Sequence, residues 1–244
     1  MTSFLAPRRL VEGGPNRLVR QVERLMGLLE FRDVVNVDGP GDHGGDLLGT
    51  LHGQLWVLQS KWKSRGAVDR SAVDEVSAAF EHYGASKAVV VTNTKPSSDA
   101  ERRAEELLRL GRKIDFWNGR DLQRLLEAAP EHAPIVLRDY QDAAVSALWS
   151  DLQARGRALL ILATGLGKTV VGGEIVERFL RENPGQDVLV VAHTKELVNQ
   201  LERALWRHLP KRVPTQVLTG DDRPSTLAGV TCATTSSALS AVLH

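Results

Sequence analysis

The sequence has a single cysteine and no long apolar run, and each scarcity excludes a class of protein. Cys232 has no second cysteine with which to pair, so the chain is not a disulfide-stapled scaffold. No uncharged apolar run approaches the roughly 18–20 residues that a membrane span needs. The first ten residues also lack the apolar block of a signal peptide. We therefore expect a soluble, cytoplasmic protein with no membrane partner.

The charge balance leaves the choice of partner open. The 244 residues include 31 Lys or Arg and 30 Asp or Glu, for a formal net charge of +1, but a balanced total can hide a basic face. The length fits one large domain or two small ones. Pro130 and Pro134 interrupt the helical patterns around them. We predict a domain over 1–129, a linker over 130–136 and a second domain over 137–244.

Hydrophobic periodicity in the first half predicts an α/β fold. A helix is expected after Pro15 with Asn16 as its N-cap, and three short strands follow, the last two joined by a hairpin turn at His52-Gly53. These strands are predicted over 34–37, 46–51 and 54–60. Beyond them we predict helices over 69–83, 99–110 and 121–128 and strands over 88–92 and 113–116. This order is typical of a mixed sheet flanked by helices.

The second half alternates strand and helix more regularly. We predict helices over 139–152, 169–181 and 195–208, and strands over 158–162, 188–192, 215–218 and 230–233. Such alternation predicts a parallel α/β domain whose ligands bind at the carboxyl ends of the strands.

A glycine-rich turn, Ala163-Thr164-Gly165-Leu166-Gly167-Lys168-Thr169, follows the predicted strand 158–162. Its glycines let backbone N–H groups approach phosphate oxygens, and the next helix adds the positive end of its dipole. Lys168 would neutralise β/γ-phosphate charge, and the Thr169 hydroxyl would help hold Mg²⁺. The strict G-x-x-x-x-G-K-[ST] pattern has glycine where Leu162 stands. We predict an ATP site; the alternative is a glycine-rich turn without a ligand.

The turn resembles the A-T-G-x-G-K-T motif I of superfamily 2 helicases and translocases. Leu137-Arg138-Asp139-Tyr140-Gln141 is similar to the upstream segment whose glutamine reads adenine, which implies nucleotide-binding roles for Arg138 and Gln141. The stretch 191–200 resembles motif Ia, which contacts the nucleic-acid backbone, and implies such roles for Thr194 and Gln200. As single residues, Gln141 and Gln200 could equally be solvated polar side chains and Thr194 a helix cap.

The resemblance covers about residues 135–240 and implies a RecA-like P-loop domain. In this family an acidic Mg²⁺-binding motif and a second lobe follow, and both would lie beyond His244. We therefore expect a partial domain with no ATPase or helicase activity of its own. A parallel sheet that lacks strands is also expected to expose an edge and an apolar face.

The first half carries Gly41-Asp42-His43-Gly44-Gly45-Asp46, followed by Gln59-Ser60-Lys61. On a hairpin turning at 52–53, Asp46 starts one strand while Gln59 and Lys61 end its neighbour and share a face. Carboxylate and amide oxygens can ligate Mg²⁺ or Mn²⁺, and the ammonium can orient water or stabilise phosphate charge. Spacing alone leaves open that these are solvated surface residues.

This constellation resembles the Mrr-like branch of the PD-(D/E)xK restriction nucleases, which has G-D-x-G-x-D and then a strand ending in Q-x-K. The match covers about residues 14–128 and implies catalytic Asp46, Gln59 and Lys61, with Asp46 and Gln59 as metal ligands. The family also places a glutamate on its first helix, which implies Glu23; a solvated helix residue is the alternative. Asp42 and His43 are interpreted as turn residues. The neutral Gln59 predicts weaker metal binding than an all-carboxylate site.

Basic and aromatic residues near this site are candidates for DNA contact. Trp62 could stack on nucleotides, while Lys63 and Arg65 could bind phosphates unless they form an ordinary solvated loop. Core packing is the expected role of Trp56 and Trp117.

Together these patterns favour a metal-dependent DNA endonuclease joined to an ATP-dependent translocase of the restriction type, acting on double-stranded DNA. A homodimer through the first domain is compatible with this interpretation. Two alternatives stay open: a DNA-binding module that does not cleave, and an ATP-dependent repair motor whose first domain serves for targeting.

Overall fold

The computed structural model describes residues 3–37, 39 and 43–242. The chain divides into two compact units, one spanning Leu5–Pro130 and the other built mainly from Glu131 onward. The predicted linker, 130–136, lies in a stretch, 130–138, that has neither helix nor strand. In the part of the chain that is described, no helix is both long and apolar enough to cross a bilayer.

The first unit contains five helices and five strands among its described residues. In chain order they are α1 (Pro7–Glu12), α2 (Gly14–Leu28), β1 (Arg32–Asn36), β2 (Leu47–Leu51), β3 (Gln54–Lys61), α3 (Arg70–His82), β4 (Lys87–Thr92), α4 (Ser98–Arg109), β5 (Ile114–Trp117) and α5 (Gly119–Ala128). The strands form one sheet in the order β1-β2-β3-β4-β5. β1, β2 and β3 pair antiparallel, whereas β4 and β5 join in parallel. This is the predicted mixed α/β sheet.

The hairpin register determines which side chains share a face of this sheet. Leu47 pairs with Leu58 and Leu48 with Val57, and both hairpin residues at 52–53 have positive φ, as a two-residue hairpin turn requires. Val57 packs in a buried cluster with residues of α3 and α4. Gly49 lies on the other face, where a Cβ would meet Met26 of α2 at 2.7 Å. Therefore α3 and α2 cover opposite faces.

The start of the first helix differs from the prediction. Asn16 is not an N-cap, because α2 begins two residues earlier, with Gly13 as its N-cap and Pro15 in its first turn. Proline fits there because the first turn of a helix has no backbone acceptor for its N–H groups in any case. A further helix, α1, precedes it.

The second unit has four helices and three strands among its described residues. They are α6 (Asp139–Arg155), α7 (Lys168–Glu182), β6 (Val188–Ala192), α8 (Lys195–Trp206), β7 (Thr215–Leu218), β8 (Val230–Thr234) and α9 (Thr235–Val242). The strands form a parallel sheet in the order β6-β8-β7. Its core joins α7 and α8 to β7 and β8 through residues such as Leu180, Val198, Val217 and Val230. This is the parallel α/β arrangement that the alternation predicts.

The predicted strand over 158–162 is wrong, because the structure has no strand there. A strand needs a neighbour for its backbone hydrogen bonds, and in the described sheet neither edge strand pairs with this segment. Leu159 and Ile161 are 81% and 82% exposed. Leu189 and Val191 on β6 are also about half exposed, at 48% and 47%. The expected apolar face is therefore present on β6.

Candidate functional site

The register places the Asp46 carboxylate against the end of β3. Asp46 lies in the bend directly before β2, and its backbone N–H donates to the Leu58 carbonyl oxygen at 2.9 Å. The Ser60 backbone N–H donates to Asp46 Oδ2 at 2.6 Å. Because Ser60 lies between Gln59 and Lys61, this hydrogen bond holds the carboxylate beside both residues.

Gln59 has a buried oxygen without a hydrogen-bond partner. The residue is 5% exposed, and its Oε1 atom is fully buried. Leaving such an acceptor unsatisfied costs about 1–3 kcal/mol, so an unpaired side-chain oxygen in a native structure calls for an explanation. An oxygen next to the Asp46 carboxylate is a suitable ligand for a hard cation such as Mg²⁺.

Lys61 reaches the helix that covers its face of the sheet. It lies two residues after Gln59 on β3 and therefore on the same face, and its Nζ forms an ion pair with Glu75 Oε2 on α3. No motif in the sequence points to Glu75. The strand alternation indicates which face Lys61 occupies, but only the packing of α3 on that face brings Glu75 to it.

The loop before Asp46 rests directly on α3. A Cβ at Gly44 would lie 2.7 Å from the Glu75 carbonyl oxygen, and its φ is +85°. His43 has a φ of 50° and its ring stacks on that of His82 at 3.7 Å between centroids. The position of Asp42 lies outside the described residues. This loop therefore joins Asp46 to the helix that carries Glu75.

The structure does not place Glu23 on the same side as this cluster. Glu23 lies on α2, and α2 packs on the sheet face of Gly49, opposite to the face of Gln59 and Lys61. Among the described residues, no group of three or more His, Cys, Asp or Glu side chains could hold a metal ion. A site here would consist of Asp46 and the Gln59 amide oxygen.

The three candidates for DNA contact differ in the contacts that they make within the protein. The Trp62 indole N–H donates to the Leu10 carbonyl oxygen at 2.9 Å, which directs the ring toward α1. The backbone of Lys63 is bridged in both directions by the Asn93 amide, and its Nζ lies 3.1 Å from Asp69. Arg65 is exposed. Trp56 and Trp117 lie 6.1 Å apart in a ring cluster with Phe31, as expected for packing.

The glycine-rich turn, which is the predicted phosphate loop, leads directly into α7. Gly165 and Gly167 have φ values of +84° and +82°, and Gly167 is the N-cap of α7. The Lys168 ammonium donates to the carbonyl oxygens of Leu162 at 2.9 Å and Ala163 at 3.2 Å. Thr164 and Thr169 are exposed. The loop therefore presents a helix N-terminus, an ammonium group and two hydroxyl groups on one exposed turn.

The start of α6 contacts this turn. Gln141 Nε2 donates to the Leu166 carbonyl oxygen at 3.2 Å, and Gln141 Oε1 accepts from the Arg138 backbone N–H at 3.0 Å. The Arg138 guanidinium lies 3.4 Å from the Tyr140 hydroxyl. A Cβ at Gly167 would meet Gln141 Nε2 at 2.4 Å. Only glycine therefore allows this approach.

Thr194 and Gln200 lie at the start and on the exposed side of α8. The Thr194 hydroxyl is the N-cap and accepts from the Leu197 backbone N–H at 3.2 Å, while Gln200 is exposed. Thr194 also lines a cavity of about 780 Å³, together with residues that include Lys195, Gly220 and Arg223.

Comparison with known families accounts for both units. Residues 12–126 match the family model described as restriction endonuclease, of the Mrr catalytic type, and residues 134–242 match the model described as type III restriction enzyme, res subunit. The chain joins a restriction endonuclease domain to a type III res-subunit domain. The recognition of both families from sequence is thereby confirmed. Asp46, Gln59 and Lys61 lie within the endonuclease domain, and the phosphate loop lies within the res-subunit domain.

Two solved structures are similar to the chain at low identity. One is the crystal structure of AF1548, a protein of unknown function, with 16% identity, 78% of this chain and 94% of that chain covered, and a TM-score of 0.35. The other is the ATP-dependent type ISP restriction-modification enzyme LlaBIII bound to DNA, with 18% identity and a TM-score of 0.37. That match covers 94% of this chain but only 15% of LlaBIII. A search of curated proteins finds no match.

Proposed function

We propose that the chain is a metal-dependent DNA endonuclease that hydrolyses phosphodiester bonds at Asp46, Gln59 and Lys61. The observation that carries the proposal is the buried, unpaired Gln59 Oε1 beside a carboxylate fixed by the Ser60 N–H. The endonuclease family match supports the reaction class. Double-stranded DNA is the proposed substrate.

The residues present fit a hard divalent cation, Mg²⁺ or Mn²⁺. Asp46 and Gln59 would hold the ion, which supplies Lewis-acid polarisation of the phosphate and a more acidic bound water. The Ser60 N–H fixes the Asp46 carboxylate in orientation, and Lys61 stabilises negative charge on the attacked phosphate. Because Gln59 contributes no charge, we propose weaker binding of the ion than at a site of carboxylates alone.

Phosphate contacts beside the site would hold the DNA. Arg65 is exposed and has no ion pair among the described residues, and Lys63 is fixed by Asn93 at the base of the same loop. We propose both as phosphate contacts, which give salt-dependent binding. The Trp62 ring is less suited to stacking because its N–H is bound to the Leu10 carbonyl.

A plasmid-cleavage assay with Mg²⁺ tests the assignment. We expect cleavage by the wild type and a loss of about 100-fold or more in Lys61→Ala, comparable to removal of one charge-stabilising donor elsewhere. Lys113→Ala is the matched control, because Lys113 is an exposed lysine paired with Asp115. Equal cleavage by Lys61→Ala and wild type would contradict the assignment. Absence of cleavage by either protein, with DNA binding retained, would favour the non-cleaving module.

We further propose that the res-subunit domain binds ATP at the phosphate loop and that, in the whole enzyme, translocation brings DNA to the nuclease. Gln141 and Arg138 would face the base, and Lys168 would exchange its carbonyl partners for phosphate oxygens, with Thr164, Gly165, Gly167 and Thr169 around the phosphates and Mg²⁺. Thr194 and Gln200 would contact the DNA backbone beside the 780 Å³ cavity.

Binding of a fluorescent ATP analogue tests the nucleotide site. We expect Lys168→Ala to abolish binding, whereas the control Lys211→Ala, at a half-buried lysine outside the turn, should leave it unchanged. Equal affinity of Lys168→Ala and wild type would contradict the proposal. DNA-stimulated ATP hydrolysis without any DNA cleavage would instead favour the repair motor.

A further inference from the structure

The second acidic group of the nuclease site comes from α3. Glu75 and its neighbour Asp74 are adjacent acidic residues on this helix, but they have different partners. Asp74 pairs with Arg70 and Arg103 on the helical surface, whereas Glu75 pairs with the Lys61 ammonium at the end of β3. Only Glu75 therefore reaches the strand that carries Gln59 and Lys61.

The position of Glu75 is fixed from several sides. Val73 and Val76, which flank it on α3, are fully buried against the sheet. The Gly44 backbone packs so closely on Glu75 that no Cβ would fit between them. The Glu75 backbone is consequently held where its carboxylate can pair with the Lys61 ammonium, a group on a flexible four-carbon stem.

The charges of the cluster require a further carboxylate. Asp46 carries one negative charge, Lys61 carries one positive charge and Gln59 is neutral, so these three residues sum to zero. A divalent cation beside an ammonium group is unfavourable without more negative charge nearby. Glu75 makes the cluster negative by one unit.

We propose that Glu75 is a positioning residue of the nuclease: it holds Lys61 in place and supplies the negative charge that the divalent cation needs. This inference rests on the proposed nuclease function. It assigns to Glu75 on α3 the acidic role that the family resemblance implies for Glu23 on α2. An ordinary surface ion pair would contribute little to metal affinity or to cleavage rate. The effect of removing Glu75 on these two quantities therefore distinguishes a positioning residue from an ordinary ion pair.

The test compares Glu75→Gln with Asp74→Asn, which removes the same charge one residue away on the same helix. Calorimetry measures Mn²⁺ binding, and a plasmid assay at saturating Mn²⁺ measures cleavage. We expect Glu75→Gln to weaken Mn²⁺ binding about tenfold and cleavage about 10–100-fold, the usual range for a residue that supports metal ligands. Asp74→Asn should match the wild type in both measurements, and Glu75→Asp should restore part of the cleavage because it keeps the charge.

Thermal unfolding in EDTA separates these effects from loss of structure. We expect Glu75→Gln and Asp74→Asn to unfold at the same temperature. Unchanged Mn²⁺ affinity and cleavage in Glu75→Gln, while Lys61→Ala is inactive, would overturn the inference and leave the proposed function intact. Wild-type protein that neither binds Mn²⁺ nor cleaves DNA would overturn both.

Discussion

Gly44→Ala should reduce both stability and cleavage, because Gly44 joins the Asp46 loop to α3. The new Cβ would lie 2.7 Å from the Glu75 carbonyl oxygen and 2.8 Å from its Cβ, so the loop must retreat by about 0.7 Å to reach ordinary contact at 3.4 Å. The φ of +85° adds backbone strain of about 1–2 kcal/mol for an L-residue. With about 1–3 kcal/mol for overpacking, the free energy of unfolding should fall by about 2–5 kcal/mol in all.

The effect on catalysis follows from the same displacement. Asp46 is two residues beyond Gly44, and its carboxylate accepts a short hydrogen bond from the Ser60 N–H. A shift approaching 1 Å at a reacting group can cost about 100-fold in rate, so we expect cleavage to fall about 10–100-fold. Since single domains are stable by about 5–15 kcal/mol, most of the variant protein should remain folded.

Urea unfolding and plasmid cleavage measure the two effects, and Gly53→Ala is the matched control. Gly53 also has a positive φ, +74°, but no atom within 4 Å of an added Cβ. The free energy of unfolding of Gly53→Ala should fall only by the backbone strain, about 1–2 kcal/mol. Its cleavage rate should stay that of the wild type. If Gly44→Ala were as stable and as active as Gly53→Ala, the proposed role of the Gly44–Glu75 contact would be refuted.

Two further predictions concern titratable groups. Asp69 caps α3, and its pKa is lowered below the usual 3.8 chiefly by the Ser71 hydroxyl; Asp69→Ala should cost about 1 kcal/mol at pH 7. Because the folded pKa is the lower one, this stability difference should persist above about pH 4 and disappear as the pH falls through the lowered value; a difference that grows in acid would contradict the cap. Burial, and then Glu202, raise the pKa of the Cys232 thiol, so iodoacetamide at pH 8 should label Cys232 only after unfolding; rapid labelling of native protein would contradict its burial.

Local patterns in the sequence were sufficient for most of the first unit. Alternating residues on either side of His52-Gly53 predicted β2 and β3 and their register, because a two-residue turn fixes which residues lie opposite each other. The proximity of Asp46, Gln59 and Lys61 follows from that register. The phosphate loop stays a prediction, which rests on glycines, a lysine and a threonine that lie within one short stretch of sequence.

The same reasoning gave the wrong result where a segment depends on distant partners. The apolar run 158–162 has the composition of a buried strand, but backbone pairing decides whether it becomes one, and the described sheet offers it no neighbour. The early start of α2 is a smaller case, in which Pro15 fits inside the first turn instead of preceding it.

The sequence by itself determined the two families, the strand register and the residues before β2 and on β3 that form the centre of the proposed nuclease site. Only the tertiary structure decided which helix supplies the neighbouring glutamate. Glu23 and Glu75 both lie on amphipathic helices, and neither helical pattern specifies the sheet face that it covers. Packing places α2 over Gly49 and α3 over Val57, so Glu75 meets Lys61 because it shares a face with it.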